Sequence, residues 1–274
     1  MDLVPTLLMP CDCNRSRLDA DIELPASMTV TADTLATCCG LIGDPPLKTP
    51  KDDHQRILQF RKEIAFLLKG PRESETIVYY EFAAKYLLAT VAAYKQERTA
   101  DNLPASILSR ISDVPYFIRY VQSPAGSDLV TSHAERTVAA ATFAVQDKIN
   151  EICHFLFELL MIRGPSAIRD DIKQELETTL KTWMAIYIGH HTASLSYRCL
   201  TVLRGEFMQV IEETKARIEK PLMECGAPDC DRRVGCGNPE LQQCSRCKSA
   251  VYCSKDHQVQ DWKEHKKYCF KPAY

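Results

Sequence analysis

Apolar positions recur at helical spacing over most of the chain. Ile57, Leu58, Ile64, Leu67 and Leu68 keep a period near 3.6 after an acidic start at Asp52-Asp53, and Gly70-Pro71 stops the run. Ile77, Tyr80, Ala84, Leu87, Leu88 and Val91 line one broad face of a second helix over 74–95. Shorter helices fit 104–111 and 114–121, bounded by Ser-Pro-Ala-Gly at 123–126. The stretch 127–163 is too long for one uncapped globular helix and divides near Val145. Gly164-Pro165-Ser166 ends it, and the next helix covers 166–188. Gly189-His190-His191 make the turn into the last and longest helix, 193–220, which Pro221 closes. Few strand signals accompany these helices. The pattern predicts a mainly α fold over 52–221, a helical bundle or short stack of helical hairpins, with no repeat of fixed length. Trp183, Phe155, Phe157, Leu159 and Leu160 are its expected centre. Residues 1–51 are expected to be irregular, because Pro5, Pro10, Pro25, Pro45, Pro46 and Pro50 interrupt any long period.

The pattern changes at 222–274. Val234, Leu241, Val251, Tyr252, Val259, Trp262, Tyr268 and Phe270 are its large apolar groups, too few to fold fifty residues unaided. Seven of the thirteen cysteines lie here instead, with His257 and His265 beside them. Cys244-Ser-Arg-Cys247 is a tight CxxC, and Cys253/His257 and His265/Cys269 are each four apart. Zinc takes four thiolate or imidazole ligands in a tetrahedron, and close pairs supply two from one turn of backbone. Eight ligands in four pairs make two closed, structural zinc sites with no position left for a catalytic water. A structural zinc supplies roughly 10–16 kcal/mol of apparent binding free energy, more than so small a core. Leu241 to Cys244 and Ala250 to Cys253 can pair as a hairpin, and Ser254 caps a helix beginning Lys255-Asp256. Cys225 and Cys230 are the first ligand pair. Cys236 is a ninth candidate that would replace Cys230 through a longer loop, whereas the shorter loop costs less closure entropy.

Composition narrows the function classes. An apolar fraction of 45% and a charged fraction of 26% are ordinary for a globular protein. A net charge of −2 gives no electrostatic reason for nucleic-acid binding. Acidic Asp2 stands where a secretory signal needs basic residues, and the longest apolar run, 152–162, is interrupted by His154 and Glu158 and too short for a bilayer. The expected location is intracellular, nucleus or cytoplasm, where clustered thiols hold metal more often than they form disulfides. Cys11/Cys13 and Cys38/Cys39 have the wrong spacing for a third site, His190-His191 lack partners for catalysis, and Cys153-His154 point in different directions. No phosphate loop, nucleophile elbow or metal-binding carboxylate pair is present, and Glu175, Glu177, Glu212 and Glu213 read as solvated faces.

The string Cys244-x2-Cys247-x5-Cys253, with Tyr252-Cys253-Ser254 and Gln258-x3-Trp262-x2-His265-Lys266-x2-Cys269, resembles the MYND-type zinc finger over about 225–269. The resemblance implies interleaved ligands: Cys225, Cys230, Cys253 and His257 on one zinc, Cys244, Cys247, His265 and Cys269 on the other. It departs from the usual pattern in the CxxxxC spacing of the first pair and in His257, where many members have cysteine; similar Cys-His variants are fungal. Arg232, Arg233, Lys248, Lys266 and Lys267 are expected to offset the charge of the thiolates. Fingers of this kind bind protein partners, typically short proline-containing peptides along a hairpin edge. By resemblance Gln258 and Trp262 line that groove, with Ser249, Ala250 and Val251 on the edge. The expected function is a zinc-dependent interaction module or adaptor, in transcriptional regulation or ubiquitin-linked turnover, and not an enzyme. A lysine methyltransferase reading would need a SET-type catalytic half downstream, where only 270–274 follow, and a cofactor motif upstream. A nucleic-acid-binding reading meets nine basic against seven acidic side chains over 224–271, a balance unlike a phosphate-binding face.

Overall fold

The computed structural model describes residues 24–43, 50–97, 99–100, 102–142, 145–235 and 240–274. Within them run α1 Ala32–Cys38, α2 Pro50–Lys69, α3 Arg72–Gln96, α4 Leu103–Arg110, α5 Pro115–Gln122, α6 Leu129–Ala139, α7 Gln146–Arg163, α8 Asp170–Ile186, α9 His191–Arg204 and α10 Met208–Met223. A hairpin of β1 Gln242–Gln243 and β2 Val251–Tyr252 follows, then α11 Lys255–His265. The fold is mainly α, as the periodicity requires.

Local chemistry sets the boundaries. Asn102 accepts from the Ala105 amide at 2.8 Å and Pro104 sits in the first turn of α4, where a missing N–H costs nothing. Pro115 opens α5 in the same way. Val145, the position at which the long periodic stretch divides, is the N-cap of α7. That helix is the axis of the molecule. Ile149, Ile152, Phe155, Leu156, Leu159 and Leu160 are essentially inaccessible, and α4, α5, α6, α9 and α10 pack around them. Trp183 and Phe157 are buried with them, so the expected centre is the observed one. One polar chain crosses this core: His133 lies 3.0 Å from the Ile152 carbonyl through Nε2 and 2.7 Å from the Tyr94 hydroxyl through Nδ1. A proton on Nε2 satisfies both bonds, because the carbonyl can only accept and Nδ1 then accepts from the hydroxyl.

Three expectations need correction. The stretch before residue 52 is not irregular throughout: Ala32–Cys38 is helical, opened by a reciprocal capping box between Thr31 and Thr34, and Leu35 and Ala36 are fully buried. The helix expected over 193–220 is two. Gly205 adopts φ +67° and ends α9, and the chain turns before Met208, which periodicity alone could not register because both halves keep the same apolar period. Pro221 does not close α10 but lies inside it, two residues before its end. Cys38 and Cys39 are buried free thiols, Cys38 lying 3.6 Å from Glu63 on α2; Cys11 and Cys13 fall outside the described residues.

The carboxyl-terminal segment folds back onto the helices. The Tyr268 ring packs on Tyr80 of α3 at 5.1 Å, Lys267 pairs with Glu73 at 2.8 Å, and the Ala273 amide donates to the Ala84 carbonyl at 2.9 Å. The Tyr274 hydroxyl donates to the Tyr116 carbonyl on α5 at 2.6 Å. No described helix is long and apolar enough to cross a membrane.

Candidate metal centre

Two knuckles and one helix deliver six of the eight candidate ligands, Cys253 follows β2, and Cys269 lies after α11. Cys244 directly follows β1, and the chain reverses through Ser245 and Arg246 to Cys247. Lys248 then takes φ +58°, which lets the Ser249 amide reach the Cys247 sulfur at 3.4 Å while the Cys244 amide donates to the Ala250 carbonyl at 2.9 Å. A second tight loop, with Asp229 at φ +60°, joins Cys225 to Cys230. Ser254 caps α11 by accepting from the His257 amide at 3.2 Å, as its position just after Cys253 foretold. His257 therefore lies in the first turn of α11 and His265 at its end.

The ligand atoms gather in two groups, each within a span of 4.8 Å: Cys225, Cys230, Cys253 and His257, and Cys244, Cys247, His265 and Cys269. The separations are informative. Zinc–sulfur bonds of about 2.3 Å at tetrahedral angles put two sulfurs about 3.8 Å apart, and a sulfur and an imidazole nitrogen about 3.6 Å apart. The Cys230–Cys253 and Cys244–Cys269 sulfurs lie 3.8 and 3.7 Å apart, and Cys225–His257 and Cys247–His265 are 3.5 and 3.6 Å. Cys253 to His257, at 3.0 Å, is the one tighter pair. Disulfides would need about 2.05 Å, and all eight positions carry free thiols or imidazoles. Each group fits one zinc ion.

The two histidines turn opposite nitrogens inward: Nδ1 of His257 and Nε2 of His265 face the sulfurs. Electrostatics favour a dication at both places. Burial works against ionising Cys225, yet the Ala227 and Cys253 amides and His257 pull its thiol down to about 7. Burial, then the charges of Cys247 and Cys244, push the Cys269 thiol well above its ordinary value. Three crowded thiols cannot all ionise without a cation between them, and zinc supplies it. Of the basic side chains expected to offset the thiolates, Arg233 is held by Glu224 at 2.7 Å, and Lys267 bridges Glu264 and Glu73.

The pattern of the MYND finger family matches residues 230–269. The carboxyl-terminal segment is a MYND finger. Human Egl nine homolog 1 is similar to it, 60% identical over 35 residues, which are 12% of this chain and 8% of that protein. The mouse Egl nine homolog 1 is 57% identical over 35 residues, 12% of this chain and 9% of that one. The chain thus covers less than a tenth of either relative. No solved structure matches it. A MYND finger is a zinc-held binding module that mediates protein–protein interaction, and its closed ligand sets leave no place for chemistry at the metal.

The remaining candidate residues divide. Trp262 is 42% and Val259 66% exposed on α11, with Gln258 partly exposed beside them. Trp262 does not fill the small core; its ring leans on His265 at 5.8 Å and keeps an open face. Val251, expected on an edge, is instead a middle position. It pairs with Gln243 on one side and bridges Cys225 on the other, its carbonyl accepts from Gly226 at 2.9 Å, and it is 4% exposed. Ser249 is also buried, and Ala250 is partly exposed. The outer strand is β1, whose Gln242 and Gln243 face solvent. What the sequence did not announce is the docking of the finger onto α3 and α5 through Tyr80, Tyr116 and Arg119. Their only signal was aromatic and basic residues in helices that already had a core to fill. Cys236 lies outside the described residues.

Proposed function

We propose that the chain is a non-enzymatic adaptor whose finger, held by two structural zincs on Cys225, Cys230, Cys253 and His257 and on Cys244, Cys247, His265 and Cys269, captures short proline-containing peptides of a protein partner. The open face of α11 carries the reading. Trp262 and Val259 are exposed and Gln258 partly so, while the segment after His265 ties the finger to α3 and α5. A tryptophan left 42% exposed on a rigid, metal-held helix offers a flat apolar surface at small entropic cost, which suits the ring of a proline. Main-chain pairing on this reading falls to β1, with Ala250 at the rim, because Val251 has both neighbours already. Residues 52–221 act as the scaffold that presents this face.

The test is titration calorimetry of the full chain with a Pro-x-Leu-x-Pro peptide. Trp262→Ala, its fold and zinc content verified, is expected to weaken binding by at least tenfold, since recognition tryptophans commonly contribute about 2 kcal/mol or more. Binding undiminished in that variant removes the groove.

A further inference from the structure

The second metal cluster is not held by the finger alone. Tyr116 and Arg119 lie one turn apart on α5 and therefore share a face of it. The buried Tyr116 hydroxyl donates toward the Phe270 carbonyl at 2.8 Å and the Tyr268 carbonyl at 3.1 Å, and accepts from the Phe270 amide at 2.8 Å. Both bonded residues are direct neighbours of Cys269. Arg119 donates to the carbonyl of Cys247 itself at 3.3 Å, and its guanidinium lies 5.6 Å from the centre of the Tyr274 ring. These side-chain bonds from α5 reach two ligand segments of the second cluster, the knuckle at Cys247 and the tail around Cys269. The first cluster, which collects Cys225, Cys230, Cys253 and His257, takes no bond from Tyr116 or Arg119; its Cys225 follows the end of α10 by two residues.

We infer that Tyr116 and Arg119 are positioning residues for the second zinc, making α5 an outer support of a metal centre that lies outside the helical part. The four ligand atoms come from separate segments brought within 4.8 Å of one another, and an outer support that fixes those segments lowers the cost of gathering them around the metal. The tail after Cys269 has no helix or strand of its own to hold it. The hydroxyl, sharing its one proton between two carbonyls and accepting from an amide, fixes the peptide on both sides of Cys269, and the Arg119 cation sits on the side of a zinc site whose three thiolates leave it a net charge of −1. This inference rests on the two-zinc ligand assignment but not on peptide recognition by Trp262.

The experiment uses the full zinc-loaded chain and its Tyr116→Phe variant, which keeps the ring and removes one oxygen. Release of the two zincs to a chromogenic chelator is followed in time. Nitrogen-15 spectra of the histidine rings assign the site, since His257 binds through Nδ1 and His265 through Nε2. In the variant one zinc equivalent is expected to bind about tenfold more weakly or leave about tenfold faster, as loss of an outer support typically does, with the Nε2-bound His265 signal lost first and the His257 signal unchanged. Arg119→Met, which keeps the apolar stem, should weaken the same equivalent and serves as the second variant if Tyr116→Phe does not fold. Equal loss of both zincs overturns the inference, as does unchanged release in both variants or selective loss of His257. Loss of both metal-bound histidine signals already in the parent protein under metal-replete conditions would instead reject the ligand assignment beneath it.

Discussion

Glu158 shows how one buried group sets the pH response of the helical core. It is 7% exposed on α7; burial, with the charge of Asp113 added and that of Arg198 opposed, pushes its carboxyl up to about 7 from 4.5. In the folded protein it therefore keeps a proton that the unfolded chain releases at its ordinary value. Stability from Glu158 is present at acid pH and falls as pH rises from 4.5 through 7, because the native state binds the extra proton in that window. His133 runs the other way. Burial drops its imidazole to about 4 from 6.5, so it must be protonated on unfolding, and stability is lost as pH falls from 6.5 toward 4. The two opposing limbs overlap and flatten the profile. Glu158→Gln removes one of them: unfolding free energies from denaturant titration should be similar to the parent at pH 4 and higher at pH 8, by on the order of 3 kcal/mol for a shift of this size. A variant no more stable than its parent at pH 8 would show that burial does not raise the Glu158 carboxyl in the folded protein.

At the scale of elements, legibility followed the kind of force involved. The period of 3.6 placed the helices because burial on one face is a local property of the sequence, and Ser254 marked the start of α11 because capping needs only a neighbour three residues away. Zinc ligation was as legible, since a tetrahedron restricts both residue type and spacing: all eight expected ligands assemble in the two expected groups. The Gly205 break is not legible because the apolar stripe continues across it. The middle place of Val251, expected on the edge, is not legible locally, because a strand is an edge or a middle only by its second neighbour, and that neighbour, Cys225, lies 26 residues away. Gly205 offers a direct check. At φ +67° an L side chain is strained, so Gly205→Ala should cost about 1 kcal/mol and lower the melting temperature of the helical part, with the nearest contact, Met208 Sδ at 3.5 Å, adding little. An unchanged melting temperature would mean that α9 and α10 join by some other backbone path.

For the molecule as a whole, helices and finger are thermodynamically joined. Tyr80, Tyr116 and Ala84 give part of their surface and hydrogen bonding to the segment after His265. Zinc binds the folded arrangement and has no preformed site in the unfolded chain, so linkage carries its binding energy across that junction. Treatment with a strong chelator is therefore expected to lower the thermal midpoint of the helical signal by several degrees, as well as unfold the finger, and added zinc should restore it. Helical melting indifferent to the chelator would make the two parts independent. The bond between Tyr116 and Phe270 spans 154 positions of sequence. On the ribosome the helices can collapse early, yet the tyrosine face of α3 and α5 stays bare until the segment through Tyr274 has emerged and the finger has captured its metal. Newly synthesised protein in a zinc-starved cell would carry that sticky patch for as long as the starvation lasts, which makes metal supply a gate on its maturation and a reason for chaperones to retain it.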